Sequence, residues 1–197
     1  MISLLVVASR LIVQSLPERL FPGMIRFVAR HLIHCDEKTF WKLFFSREVN
    51  TRMYAEVLKF PAFSIVEEHE DDRVLVRKAV GRPRVHALPE AVQKMLGSSF
   101  QYVEDSTFDK AARTWRWKMT PSHMPDRLTN EGVLSIEPAG QGRITRVADV
   151  RIEAKIFGIG RILEGIAEKE LRAGWDESAA FLNKWVAEHP EEVRAVL

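Results

Sequence analysis

Cysteine is nearly absent: Cys35 is the only one. An intrachain disulfide and a cysteine-built zinc centre are therefore excluded, and a reducing, cytoplasmic setting is expected. Long apolar runs are also missing. The most apolar stretch, residues 2–8, is soon interrupted by Arg10, far below the roughly 20 residues of a membrane span. It lacks the basic start of a secretory signal. Charge of one sign is scarce too. Lys and Arg number 29 against 27 Asp and Glu, a net +2, too small to expect a nucleic-acid partner. There are no internal repeats, low-complexity tracts, nucleophile motifs, glycine-rich phosphate loops or paired metal-ligand helices. No catalytic residue, metal or cofactor is assigned.

What is present is a core. Hydrophobic residues make up 46% of 197, enough for one domain with a short extension. The organising stretch is 143–187. Ala148, Val150, Ile152 and Ala154 alternate with Asp149, Arg151 and Glu153, as in an antiparallel strand with one wet face. After Phe157-Gly158-Ile159-Gly160 the period changes. Gly160, Leu163, Ala167, Leu171, Gly174, Ser178, Leu182 and Trp185 recur at spacings of three and four, which predicts one helix over 159–187. Its two opening glycines serve either a tight turn or a flexing gate.

The rest of the chain supplies a sheet for that helix. Residues 1–23 read as an extension, with an interfacial anchor as the second reading. Residues 24–188 form the domain and 189–197 a tail. Residues 24–35 alternate as a first strand. Asp36 and Ser46 cap two short helices, the first carrying Phe40, Trp41, Phe44 and Phe45 and the second repeating every four residues to Leu58. A hairpin follows over 62–70 and 73–82 across an acidic tip. Then come a short amphipathic helix after Pro89, strands over 99–108 and 113–120, a proline-bounded loop, and a strand over 128–137. The expected fold is α+β. It has a curved antiparallel sheet of about seven strands, two short helices, and a long C-terminal helix laid across the sheet to enclose a cavity.

That order resembles the START-like (SRPBCC, birch-pollen-allergen-like) helix-grip superfamily. Phe40-Trp41-Lys42-Leu43-Phe44-Phe45, Trp115-Arg116-Trp117, the 153–160 junction, Gly174-Trp175-Asp176 and the 180–185 segment carry the likeness. They resemble an uncharacterised bacterial family within it, catalogued as a domain of unknown function. More distantly, the middle of the chain resembles the VASt and PRELI lipid-transfer domains. The resemblance implies a cavity for a lipid or other hydrophobic small molecule, bound without catalysis. Its alternatives are a cyclase- or hydrolase-type enzyme and a co-chaperone-like interaction domain.

The candidate ligand wall follows from that layout: Phe44, Met53, Tyr54, Phe63, Trp115, Trp117, Met119, Ile152, Ile159, Leu163, Ile166 and Ala167. Trp115, Trp117 and Met119 share a strand face, which suits a core as well as a cavity. Arg82, Arg84 and Lys94 form a basic cluster that would meet a lipid headgroup or touch a membrane surface transiently, making the protein peripheral there. Ordinary solvated charge is the simpler reading of the cluster. His31 and His34 point to opposite strand faces and cannot share a metal. An enzyme would need His31 with Tyr54 or Tyr102 as acid–base groups; the simpler reading of His31 is a hydrogen-bonded inner histidine.

Overall fold

The computed structural model describes residues 23–84 and 88–191. The expectations for residues 1–22 and for the tail beyond 191 lie outside those residues.

Strand β1 (Met24–Ile33) buries Phe27, Ala29 and Ile33 and exposes Val28. It pairs antiparallel with β7 (Ile144–Ala154), from Met24 opposite Glu153 to Ile33 opposite Ile144. Between them in sequence lie β2 (Ala62–Glu70), β3 (Val74–Arg82), β4 (Tyr102–Asp109), β5 (Thr114–Pro121) and β6 (Leu128–Pro138). The sheet order is β1-β7-β6-β5-β4-β3-β2, with every neighbour antiparallel. Thus β2 to β7 form a meander, and β1 joins its far end. Because β1 and β2 occupy opposite edges, the segment joining them crosses the whole sheet.

That crossing segment holds the short helices. Helix α1 (Glu37–Phe45) starts where the Asp36 carboxylate accepts the Thr39 N–H at 2.9 Å. It buries Phe40, Trp41 and Leu43. Helix α2 (Arg47–Arg52) starts at Ser46. Here the structure corrects the sequence reading. The four-residue repeat expected up to Leu58 widens into a π turn over Met53–Val57, closed by Leu58 N–H on the Met53 carbonyl at 3.0 Å. Single π turns are one-residue insertions into a helix and re-aim the side chains they carry.

Helix α3 (Glu90–Leu96) is the amphipathic insert. Helix α4 (Gly160–Glu188) is one continuous run of 29 residues, about 43 Å long at about 1.5 Å per residue. Gly160, Leu163, Ser178, Leu182 and Trp185 of the predicted stripe are buried, and Ala167 and Leu171 pack against the main core from positions of partial exposure. The glycines before it serve a turn. Gly158 has φ +80°, and a Cβ on Gly160 would lie 2.2 Å from the Ala154 carbonyl oxygen.

Two apolar clusters result. The larger joins β1, α1, β5–β7 and the C-terminal half of α4, with Ile33, Phe40, Leu134 and Val150 wholly buried. Each such side chain contributes about 1.5–3 kcal/mol. The smaller sets Val92 and Leu96 of α3 against Ala154 and Leu163.

Candidate functional site

Between the clusters lies a cavity of about 430 Å³. Its floor is the inner face of the sheet. Its sides are the α1–π-turn segment and α3, and its roof is chiefly the first half of α4. Eleven of the twelve wall residues expected from sequence border it: Phe44 from α1, Met53 and Tyr54 from the π turn, Phe63 from β2, Trp115, Trp117 and Met119 from β5, Ile152 from β7, and Leu163, Ile166 and Ala167 from α4. Ile159 is the exception. It precedes the helix rather than riding its inward face, and 42% of it is exposed. Of the basic cluster, Arg84 borders the cavity. Arg82 does not, and Lys94 points to solvent, paired with Glu90 at 2.7 Å.

The aromatic wall is a fixed stack. Trp115 and Trp117 stack with ring centres 4.8 Å apart, Phe44 meets Trp115 edge-on at 5.0 Å, and Trp117 reaches Trp175 at 5.7 Å. The Trp117 ring lies over Gly132, where a Cβ would come within 2.4 Å of it. Tyr102 lies in the same way over Gly81, also at 2.4 Å. These rings lie along the sheet and leave the space above them open.

Polar groups gather at one end. Tyr54 stacks on Phe63 at 3.6 Å, and its hydroxyl lies near that of Tyr102. Burial pushes both phenols above their ordinary range. Glu104, 4% exposed, stands two residues on from Tyr102 on the inward face of β4. Burial raises its carboxyl to about 7, against the opposing pull of Arg77 and the Ser106 hydroxyl. Arg77 itself donates to Glu68 at 2.9 Å and to the Phe45 carbonyl at 3.0 Å.

A second buried cation, Arg146, borders the cavity on β7. It donates to Ser178 Oγ at 3.0 Å and to the Trp175 carbonyl at 2.7 Å, and it lies 4.8 Å over the Trp175 ring. Desolvation lowers its guanidinium to about 9. His31 faces it across the β1–β7 pair, with Nδ1 3.2 Å from Arg146 and Nε2 2.8 Å from Asp176. The histidine is thus a strut tying β1 and β7 to α4, and it does not border the cavity. Tyr102 stands four strand steps away, roughly 19 Å along the sheet at about 4.8 Å per step. The acid–base set of His31 with Tyr54 or Tyr102 is not brought together.

Sequence reasoning passed over Arg77, Glu104 and Arg146. The signal was there, since strand alternation puts each on the same face as its apolar neighbours. A charged residue on an inward register is easily discounted, because burying one is costly unless it is paired or hydrogen-bonded. Three exposed apolar side chains also fall within six residues just before the cavity roof: Phe157 (104%), Ile159 (42%) and Ile162 (61%). Among the described residues, no three His, Cys, Asp or Glu side chains meet as metal ligands would, and no helix is long and apolar enough to cross a membrane.

The chain matches the family described as "Protein of unknown function (DUF2505)" over residues 28–186. No curated protein matches it. Among solved structures it is similar to the Zhui aromatase/cyclase from Streptomyces sp. R1128, with TM-score 0.57 and 12% identity over 83% of this chain and 96% of that one. It is similar to a protein from Thermus thermophilus, at TM-score 0.55 and 14% identity over 87% and 98%. A START superfamily protein from Mycobacterium smegmatis follows at 0.50 and 15%, over 85% and 99%. At these identities the likeness is one of fold, and the fold is the START-like helix-grip.

Proposed function

The chain belongs to the DUF2505 family, and we propose that it binds and carries a lipid or another apolar small molecule in the cavity between sheet and helix, without catalysis. The observation that carries this reading is the cavity itself. It is about 430 Å³, within the usual range for small-molecule sites, and it is walled by tryptophans and aliphatics with a few convergent polar groups. A protein that only gripped a partner chain would have no need of that internal space.

We propose transient membrane contact at the turn Phe157-Gly158-Ile159 and Ile162 rather than at Arg82, Arg84 and Lys94. That turn offers exposed apolar side chains beside the cavity roof, with Lys155 and Arg161 exposed on either side. Apolar insertion with flanking cations is the usual chemistry of interfacial binding.

The second reading is a cyclase-type enzyme. Its support is the Zhui likeness together with a carboxyl at about 7 and two tyrosines bordering the same cavity.

The deciding experiment is native mass spectrometry of protein purified from its own host, with solvent extraction of bound material. Titration of tryptophan emission with a lipid panel accompanies it. An extracted apolar compound and a saturable shift are expected. Leu163→Glu should abolish the shift, because an unpaired carboxylate is costly in an apolar cavity. Arg116→Glu, on the outer face of β5, should leave it intact. Chemical change of the extracted compound on incubation would favour the enzyme. No extract and no saturable response would defeat the carrier reading.

A further inference from the structure

We infer that the cavity selects an apolar ligand ending in an alcohol or phenol hydroxyl, held by Glu104 and the Tyr54–Tyr102 pair, and discriminates against one ending in a carboxylate. This rests on the cavity being a ligand site.

The surroundings of Glu104 carry the argument. Its cross-strand neighbours are Ala79 on β3 and Met119 on β5. Neither can satisfy a carboxylate. Among the described residues Glu104 has no ion-pair partner, since Arg77, the cation on the neighbouring strand, is bound to Glu68 and the Phe45 carbonyl. Ser106, two residues on, donates its hydroxyl to the Arg77 carbonyl at 3.2 Å, so that hydrogen is not free for the Glu104 carboxylate. A carboxylate has about four acceptor sites. Acceptor capacity is therefore left over at a residue that borders the cavity. Buried polar groups are rarely left in that condition without a partner.

Two residues back, Tyr102 and, near it, Tyr54 also border the cavity. Each phenol carries one O–H donor, and even if one hydroxyl bonds to the other, one hydrogen remains for an acceptor. The pair and Glu104, all bordering the cavity, offer it a donor and a strong acceptor. A ligand hydroxyl matches both, donating to Glu104 and accepting from a tyrosine. A ligand carboxylate matches the donor and meets the Glu104 charge.

The wider cavity points the same way. Glu164, Glu170 and Glu177 of α4 also border it. Glu164 is fixed by accepting the Ala154 N–H at 2.9 Å. Against these stand Arg77 and Arg146, both engaged, and Arg84 at the edge of the described segment. An ammonium end group is disfavoured by Arg77 beside Glu104.

The test compares 1-dodecanol with dodecanoate, read by tryptophan emission at pH 8.5 and pH 6, in the wild type and in Glu104→Gln. The readout is the change in the alcohol-to-carboxylate affinity ratio, because any apolar cavity penalises a carboxylate. In the wild type at pH 8.5 the alcohol should bind tighter by about tenfold or more. Glu104→Gln should cut that ratio by about tenfold, mainly by improving dodecanoate. Lowering the pH to 6 should narrow it in both proteins as dodecanoate itself takes up protons, and by more in the wild type, as Glu104 takes up a proton. The facing groups that titrate or carry charge are Arg77, Asp105, Tyr54, Tyr102, Glu170 and Glu177, and the variant serves as their common control. A ratio unchanged by Glu104→Gln overturns the inference and leaves the cavity reading standing. So does dodecanoate binding abolished by Arg84→Gln and indifferent to Glu104. If neither compound binds the wild type, the cavity reading fails and this inference fails with it.

Discussion

From Asn183 to Val186 the long helix is sealed against the core, whereas from Leu163 to Gly174 it roofs a cavity, with Ser178 and Leu182 at the cavity's inner limit. Leu182 and Trp185 are 3% and 4% exposed. They belong to the cluster that contains Phe27, Ile33, Phe40 and Leu43. Ala167, Leu171 and Gly174, on the same stripe at the same spacing, are only partly buried and border open space. Periodicity therefore reports which face of a helix turns inward and says nothing of what stands opposite. The sheet decides that. Beneath the sealed end it presents branched and aromatic side chains. Toward the open end, Tyr102 and Trp117 lie over Gly81 and Gly132, so the floor is low.

The largest effect should break this comparison if it is wrong. Leu182→Ala should cost about 3–4 kcal/mol, as for a fully buried leucine that leaves a new cavity. Leu163→Ala should cost less, because Leu163 packs in the smaller cluster with Val92, Leu96 and Ala154, although both leucines border the cavity. Urea unfolding of both variants measures the difference, and equal losses would mean that the two ends are packed alike.

Next in size is the pH response of the polar end. Glu104 sits at about 7 in the fold against an ordinary 4.5, so the folded state holds its proton more tightly. Its stabilising contribution is full below about 4.5 and is lost as pH rises through about 7. Relative to Glu104→Gln, the wild type should therefore lose about 2–3 kcal/mol between pH 4.5 and pH 8. Urea midpoints across that range test it, and a constant difference between the two proteins would contradict it.

Much of the sheet and the long helix was legible because strict alternation and a three–four repeat each have one good structural solution. β2 begins at Ala62 and ends at Glu70 as expected, and α4 starts one residue after its predicted start. The cavity wall was legible for the same reason, since Trp115, Trp117 and Met119 had only one face to share. The polar end was not. Arg77, Glu104 and Arg146 lie on inward registers, and recognising them required the partners that make burial tolerable: Glu68 for Arg77, Ser178 and Trp175 for Arg146. Those partners are remote in sequence. The π turn at Met53 was hidden because its side chains fit a regular four-residue repeat just as well.

A smaller effect sharpens the geometry of the floor. Gly81→Ala places a methyl against the Tyr102 ring. It should cost about 1–2 kcal/mol, within the usual range for overpacking, and weaken 1-dodecanol binding by displacing the hydroxyl. Thermal melting with the emission titration checks both. The smallest expected effect is at the solvent face of α3. Lys94→Ala removes an exposed pair with Glu90 and should cost less than about 0.5 kcal/mol.

The central claim is that the open half of α4 and α3 cover a ligand while the sealed half does not. Amide hydrogen exchange with and without saturating 1-dodecanol tests it directly. Slowed exchange in residues 90–96 and 160–174, with 183–186 unchanged, is the predicted result. Protection spread evenly along the helix, or absent from its first half, would contradict the account.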